Sequence, residues 1–347
     1  METMHILLLF IIQILVQGPK TGANKVPAII VFGDSSVDTG NNNYLPTIAK
    51  CNFEPYGRDF PGGMPTGRFC NGRLPPDFIS ESFGLKPTIP AYLNPLYNIS
   101  DFASGVCFAS AATGYDNATA DILQVIPLWK ELEYYKEYQD KLKAYLGVNK
   151  ANEILSEALY TISLGTNDFI ENYYGGRSSQ FTIDQYQDFL IGIAEDFLKQ
   201  LYHLGVLKIS LTGIAPMGCL PAQRSTNFMN NYGCNEEYNN VALQFNRKLK
   251  KVVAKLNMEL AGLKLVFADG YSILLELIRN PFKFGFEVAD VGCCGTGTFE
   301  AGILCNLDTP FMCTDATKFV FWDSIHPTEK TNKIISDYLQ MYLKEFR

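Results

Sequence analysis

The strongest constraint on this 347-residue chain is an alternation of two kinds of segment. Five short apolar runs, at 28–32, 102–108, 158–163, 206–212 and 263–268, read as buried strands. Long stretches of helical period separate several of them. Ile183, Tyr186, Phe189, Leu190, Ile193, Phe197, Leu198 and Leu201 recur every three or four residues and mark one helix face. Tyr238, Val241, Ala242, Phe245, Leu249, Val252, Val253, Leu256 and Leu260 mark a second. A third helix is expected over 128–146 and a last one after Pro327. Parallel strands need crossovers of a dozen residues or more, usually helical. The alternation therefore predicts one three-layer α/β/α domain around a parallel sheet. Residues 41–72 are polar and punctuated by Gly and Pro, and read as a long loop beside the end of the first strand.

Charge and termini narrow the setting. The formal net charge is -7 and no dense basic run occurs, so nucleic acid is not an expected partner. Residues 6–16 are apolar except Gln13, too short a run to span a bilayer as a helix. They fit the apolar centre of a secretory signal, with cleavage expected after Ala23 and a single domain over 24–347. No Lys or Arg precedes that run, which departs from the usual signal. Nine cysteines suit a secreted chain with disulfides, and the odd count leaves at least one outside a pair within the chain. Cys293 and Cys294 are adjacent and are expected to take separate partners. Asn98 and Asn117 stand in N-x-S/T sequons and are candidate glycosylation sites. With no C-x-x-C and only three histidines, a zinc site is not expected.

The chemistry concentrates where apolar runs end. The first run stops at Gly33, and Asp34, Ser35 and Ser36 follow at once. In open α/β sheets, sites form outside the carboxyl ends of strands. A serine hydroxyl needs a base to take its proton and donors for the oxyanion that then forms. The imidazoles on offer are His5, His203 and His326. His5 lies in the expected signal, and His203 ends an amphipathic helix, where a structural or solvent-facing role fits. Asp323 precedes His326 by three residues, so one turn can bring its carboxylate against a ring nitrogen and fix the tautomer. Pro327 then holds His326 out of the helix that follows. Gly165-Thr166-Asn167-Asp168 closes the third run, and Asn167 can offer a neutral N–H to an oxyanion. At Ser104-Gly105 a bare backbone allows close approach to a substrate. Taken singly, each of these is an ordinary turn. No G-x-S-x-G occurs, which argues against the other large serine-esterase fold.

Together the Gly-Asp-Ser at 33–35, the Ser-Gly at 104–105, the Gly-Thr-Asn-Asp at 165–168 and the D-x-x-H at 323–326 resemble the four blocks of the GDSL esterases, or SGNH hydrolases. The fuller stretches FGDSSVDTGNNN, GCCGTG and FWDSIHPTEK look like the secreted, plant-type branch. The resemblance implies a flavodoxin-like sheet of five parallel strands and a carboxylic-ester hydrolase working through a serine acyl-enzyme, with a lipid or polymer ester as substrate. It implies Ser35 as nucleophile, His326 as base and then acid, and Asp323 as the group that orients it. The oxyanion hole would be the backbone N–H groups of Ser35 and Gly105 with the Asn167 side chain. Asp34 and Asp168 would hold their loops. No cofactor or metal, no membrane span and a monomer are expected. One departure stands out: Ser36 occupies the position usually held by Leu, and its effect is expected on local packing. The same residues would also serve an acyltransferase, and a secreted glycoprotein that keeps the fold without turnover is a third reading.

Overall fold

The computed structural model describes residues 26–347. The expected signal at 1–23, and His5 within it, lie outside the described residues. Five strands, β1 (Ile29–Gly33), β2 (Gly105–Cys107), β3 (Leu159–Ser163), β4 (Lys208–Thr212) and β5 (Lys264–Ala268), form one sheet in the order β2-β1-β3-β4-β5. Every neighbouring pair is parallel. This is the flavodoxin-like order, whose switch point falls between β1 and β3. Two further short strands, β6 (Val288–Gly292) and β7 (Phe319–Phe321), pair with each other in parallel.

The α-helices in chain order are α1 (Pro75–Ser82), α2 (Ile99–Phe102), α3 (Asn117–Leu123), α4 (Leu128–Leu146), α5 (Val148–Glu157), α6 (Ile183–His203), α7 (Pro221–Ser225), α8 (Glu236–Glu259), α9 (Gly270–Arg279) and α10 (Glu329–Leu343). The expected long helices are α4, α6, α8 and α10. Along β1, Ile30 and Phe32 face one side of the sheet, where the Phe32 ring lies 5.6 Å from Tyr135 of α4 and 5.5 Å from Phe197 of α6. Ile29 and Val31 face the other side, with Ile79 of α1 and Leu343 of α10. The period of two along the strand thus divides the core into two layers. Among the described residues no helix is long and apolar enough to cross a membrane.

The second strand is shorter than the expected 102–108. Asn98 caps Ser100 N–H and Asp101 reaches back to Asn98 N–H, so 99–102 turns into α2 and only Gly105–Cys107 stays extended. Beyond Cys107 the chain stays beside β1, with Phe108 N–H donating to Val31 C=O and Ser110 N–H to Gly33 C=O, and enters a run of small residues.

The polar stretch after β1 works as a clip. Asp38 accepts the N–H groups of Gly40, Asn41 and Ala111. Asn41 donates to the carbonyls of Cys107 and Ala109, and Asn42 to those of Ala49 and Ala111. These bonds tie the end of β1 to the loop after β2. The rest of the long loop is pinned by Arg68, which makes a buried two-pronged pair with Asp77 of α1 at 2.8 and 2.9 Å and donates to the carbonyls of Thr39 and Ile89.

Gly33 is the tightest point. Its φ is +142°, and a Cβ there would stand 2.0 Å from the Ser163 carbonyl oxygen. Gly33 N–H donates to the buried Glu131 carboxyl, and Asp34 N–H to Ser163 C=O. Gly33→Ala is expected to cost roughly 3 kcal/mol or more, from overpacking added to a strained backbone. A chemical denaturation curve reads this; a midpoint equal to that of the parent would contradict it.

Candidate active site

The tip of β1 and the turn before α10 meet, although 291 residues separate them. Ser35 Oγ lies 2.9 Å from His326 Nε2. On the other side of the ring, His326 Nδ1 stands 2.9 and 2.8 Å from the two carboxylate oxygens of Asp323. With Nδ1–H donating to that carboxylate, Nε2 carries the lone pair that faces the serine. His326 and Asp323 are buried, and the Phe69 ring sits 5.0 Å from the imidazole.

The short spacing of Asp323 and His326 is set by the carboxylate itself. Asp323 Oδ1 accepts the backbone N–H groups of Ile325 and His326, at 2.8 and 2.7 Å, and so closes the turn that delivers the ring. Asp323 Oδ2 accepts the hydroxyl of Tyr56 at 2.8 Å, and that hydroxyl in turn accepts Gly302 N–H. Tyr56 is fully buried and stacks edge-on against Trp322. Sequence reasoning missed Tyr56: it lies in the polar loop far from Asp323 in the chain, and no local pattern sets it apart.

The turn is also braced from outside. Cys293 N–H and Cys294 N–H donate to the carbonyls of Phe321 and Trp322, and Trp322 N–H to that of His326. Disulfides join Cys293 to Cys313 and Cys294 to Cys305, so the adjacent cysteines do take separate partners. Cys219 pairs with Cys234, and Cys51, Cys70 and Cys107 are buried free thiols. Burial pushes the Cys107 thiol up to about 12, away from reactivity.

The expected oxyanion donors fare differently. Ser35 N–H has no partner among the described residues and remains available. Asn167, buried, uses its amide to donate to Thr113 C=O at 3.0 Å and lines the same cavity as Ser35 and His326. Gly105 does not belong here. It pairs with Ile29, at the amino end of β1, four residues before Gly33. At about 3.3 Å per residue it stands some 13 Å from the carboxyl end of the sheet. Ser104-Gly105 opens β2, whereas sites lie where strands close. The loop that does reach Asn167 follows β2, over 110–114. Within it Ala112 is buried at φ +66°, a conformation uncommon for alanine, and its N–H has no partner among the described residues. The signal for this loop was the run Ala109-Ser110-Ala111-Ala112-Thr113-Gly114, small residues directly after a strand.

The other acidic residues hold loops. Asp34 accepts Ser36 N–H and Ser36 Oγ, and Ser36 Oγ also meets Ser163 Oγ at 2.9 Å. Ser36 therefore ties β1 to β3 and is committed away from His326. Asp168 accepts Tyr115 N–H, Asp116 N–H and Thr119 Oγ. His203 is exposed in the last turn of α6. Asn98 and Asn117 are both exposed. Among the described residues no group of three or more His, Cys, Asp or Glu could hold a metal ion.

Two predictions follow from these contacts. Tyr56→Phe removes a hydrogen bond to a charged group, expected to cost about 1.5–3 kcal/mol of stability together with a fall in kcat. Thermal melting and ester turnover measure both, and a variant unchanged in each would contradict the contact. Burial holds Asp168 up at about 7 and Glu171, whose Oε2 is buried without a partner, also at about 7. Groups raised in the folded state bind protons there that the unfolded chain releases near pH 4. Their contribution is complete below that pH and is lost as pH rises through about 7. The melting temperature is expected to be higher at pH 5 than at pH 8; a rise over that interval would contradict the assignment.

Comparison with known proteins fits this geometry. The family described as GDSL-like lipase/acylhydrolase matches residues 29–339. The GDSL esterase/lipase At2g42990 of Arabidopsis thaliana is 62% identical over 322 residues, 92% of each chain. A second from that plant, At2g04570, is 60% identical over 96% of this chain and 97% of its own, and a third, At4g26790, 56% identical over 96% of each. A solved structure of a gut microbial diltiazem-metabolizing enzyme aligns at TM-score 0.41 and 13% identity, over 92% of this chain and 47% of that one. With a family match from β1 into the last helix and relatives this similar along nearly their whole length, the chain belongs to the GDSL-like lipase/acylhydrolase family and is a serine carboxylic-ester hydrolase.

Proposed function

We propose that the protein cleaves acyl esters through a covalent intermediate on Ser35. The observation that carries this is the unbroken chain from Asp323 through His326 to Ser35 Oγ. In the first half-reaction His326 Nε2 takes the Ser35 proton as Oγ attacks the ester carbonyl. Asp323 holds the imidazolium that forms, and His326 passes the proton to the leaving alcohol. In the second half-reaction water takes the alcohol's place and attacks the acyl carbon as His326 takes its proton; the Oγ–acyl bond then breaks, the proton passes from His326 to Ser35 Oγ, and the acid leaves. The developing oxyanion is proposed to sit on Ser35 N–H and the Asn167 amide, with Ala112 N–H from the loop after β2 in the place first given to Gly105. Asn167 suits that task because a neutral donor stabilises the oxyanion without lowering the basicity of His326.

The setting proposed is outside the cell, with residues 1–23 removed and one domain over 24–347, in lipid metabolism. Three disulfides support an oxidising compartment. Exposed Asn98 and Asn117 are proposed to carry glycans. The mature protein is proposed to act as a monomer without cofactor.

Kinetics on p-nitrophenyl esters test the mechanism. Ser35→Ala and His326→Ala are each expected to lower kcat by roughly 10⁴-fold or more. Asn167→Ala is expected to lower kcat by about 10²–10³-fold with little change in KM. Near-parental turnover in folded Ser35→Ala would contradict the proposal.

A further inference from the structure

The cavity at Ser35 does not stop at the catalytic residues. From Ser35 and His326 it continues beneath the sheet, past α1 and α10 on the Val31 side, to Leu274 of α9, the helix that packs against α10. Its walls there are Val37, Ile79 of α1, Leu274 of α9, and Ile335 and Leu339 of α10. Ile79, Leu274 and Leu339 are each 5% exposed or less and Ile335 is half-buried, so this end is bounded mainly by interior side chains. Leu339 lies ten residues along α10 from Glu329, at 1.5 Å of rise each about 15 Å down the helix axis from the catalytic turn. The whole cavity, from Ser35 to this inner end, has a volume of about 140 Å³. An apolar protein cavity of roughly that size, about 150 Å³, accepts a benzene molecule, about six carbons.

We infer that this inner cavity is the subsite for the acyl chain, and that the enzyme selects medium-length acyl groups, about hexanoyl to octanoyl, over acetyl. This deepens the ester-hydrolase reading and rests on it. The order of events assigns the cavity to the acyl half. After the Oγ–acyl bond forms and the ester C–O bond breaks, the alcohol must leave and a water must enter by the open side. The acyl group alone stays attached to Ser35 throughout. An inner end bounded mainly by interior side chains suits the half that stays, and would impede the half that must leave. A short polar acyl group such as acetyl would leave this apolar space unfilled and forfeit its contacts.

The test is the chain-length profile of kcat/KM on two ester series. One varies the acyl group from acetate to dodecanoate on p-nitrophenol; the other varies the alcohol from ethyl to octyl on acetate. Each buried methylene is expected to raise kcat/KM about fourfold in the acyl series, up to about six to eight carbons, with a plateau or fall beyond. Leu339→Phe narrows the inner end and is expected to cut the octanoate-to-acetate ratio at least tenfold. Leu339→Ala widens it and is expected to move the maximum to longer chains. Melting curves verify that each variant is folded, and the parental profile stands even where a variant does not fold. A flat or falling parental acyl series would overturn the subsite while leaving ester hydrolysis intact. So would a rise confined to the alcohol series, or a folded Leu339→Phe with an unchanged ratio. Absence of turnover on every ester would overturn the hydrolase mechanism itself, and the subsite with it.

Discussion

The Asp323 carboxylate is the interaction on which the site depends. It accepts two backbone N–H groups of its own turn, the Nδ1 face of His326 and the hydroxyl of Tyr56. A buried carboxylate with that many donors is satisfied in its charged form, as buried charges must be. Satisfying it shapes the turn, and shaping the turn aims the imidazole. The same group therefore does structural and chemical work. The contacts around it join the turn before α10 to Tyr56 of the long loop, 267 residues away, so the geometry exists only in the folded protein.

The serine is fixed by the opposite strategy. Its strand carries no charge network along its length and is held by apolar layers on both faces. Rigidity at the tip comes from close backbone approach: Gly33 against Ser163, Asp34 N–H on β3, and Ser36 bridging Asp34 and Ser163. The Asp38, Asn41 and Asn42 clip then ties this tip to the loop after β2. Two outer braces complete the arrangement, the Arg68–Asp77 pair on the long loop and the disulfides beneath Trp322. Each fixes a loop end, where a site built on a sheet edge is otherwise free to drift.

Much of this was legible in the residues. Five apolar runs and their helical intervals gave the parallel sheet, and the Asp323–His326 spacing gave a turn that meets Ser35. The misses have physical causes. Gly105 was read as a site residue because a glycine permits close approach, yet its register opposite Ile29 puts it at the amino end of the sheet. Register depends on pairing between strands 76 residues apart, and local pattern does not carry it. The strand β6 is only partly apolar and β7, though apolar, is three residues long, so neither carries a periodic signature. Tyr56 acts across 267 residues of sequence. The apolar walls under the serine come from α1, α9 and α10, whose side chains read as ordinary core until the fold leaves a space between them.

The central claim is that Ser35, and no other hydroxyl, becomes covalently bonded because His326 faces it. Intact mass spectrometry and peptide mapping after treatment with a fluorophosphonate read this directly. The account predicts a single adduct, carried by the peptide that contains Ser35, and its loss when His326 is replaced by alanine. A native protein that takes up no label, or takes it up at Ser36 or another serine, would contradict it.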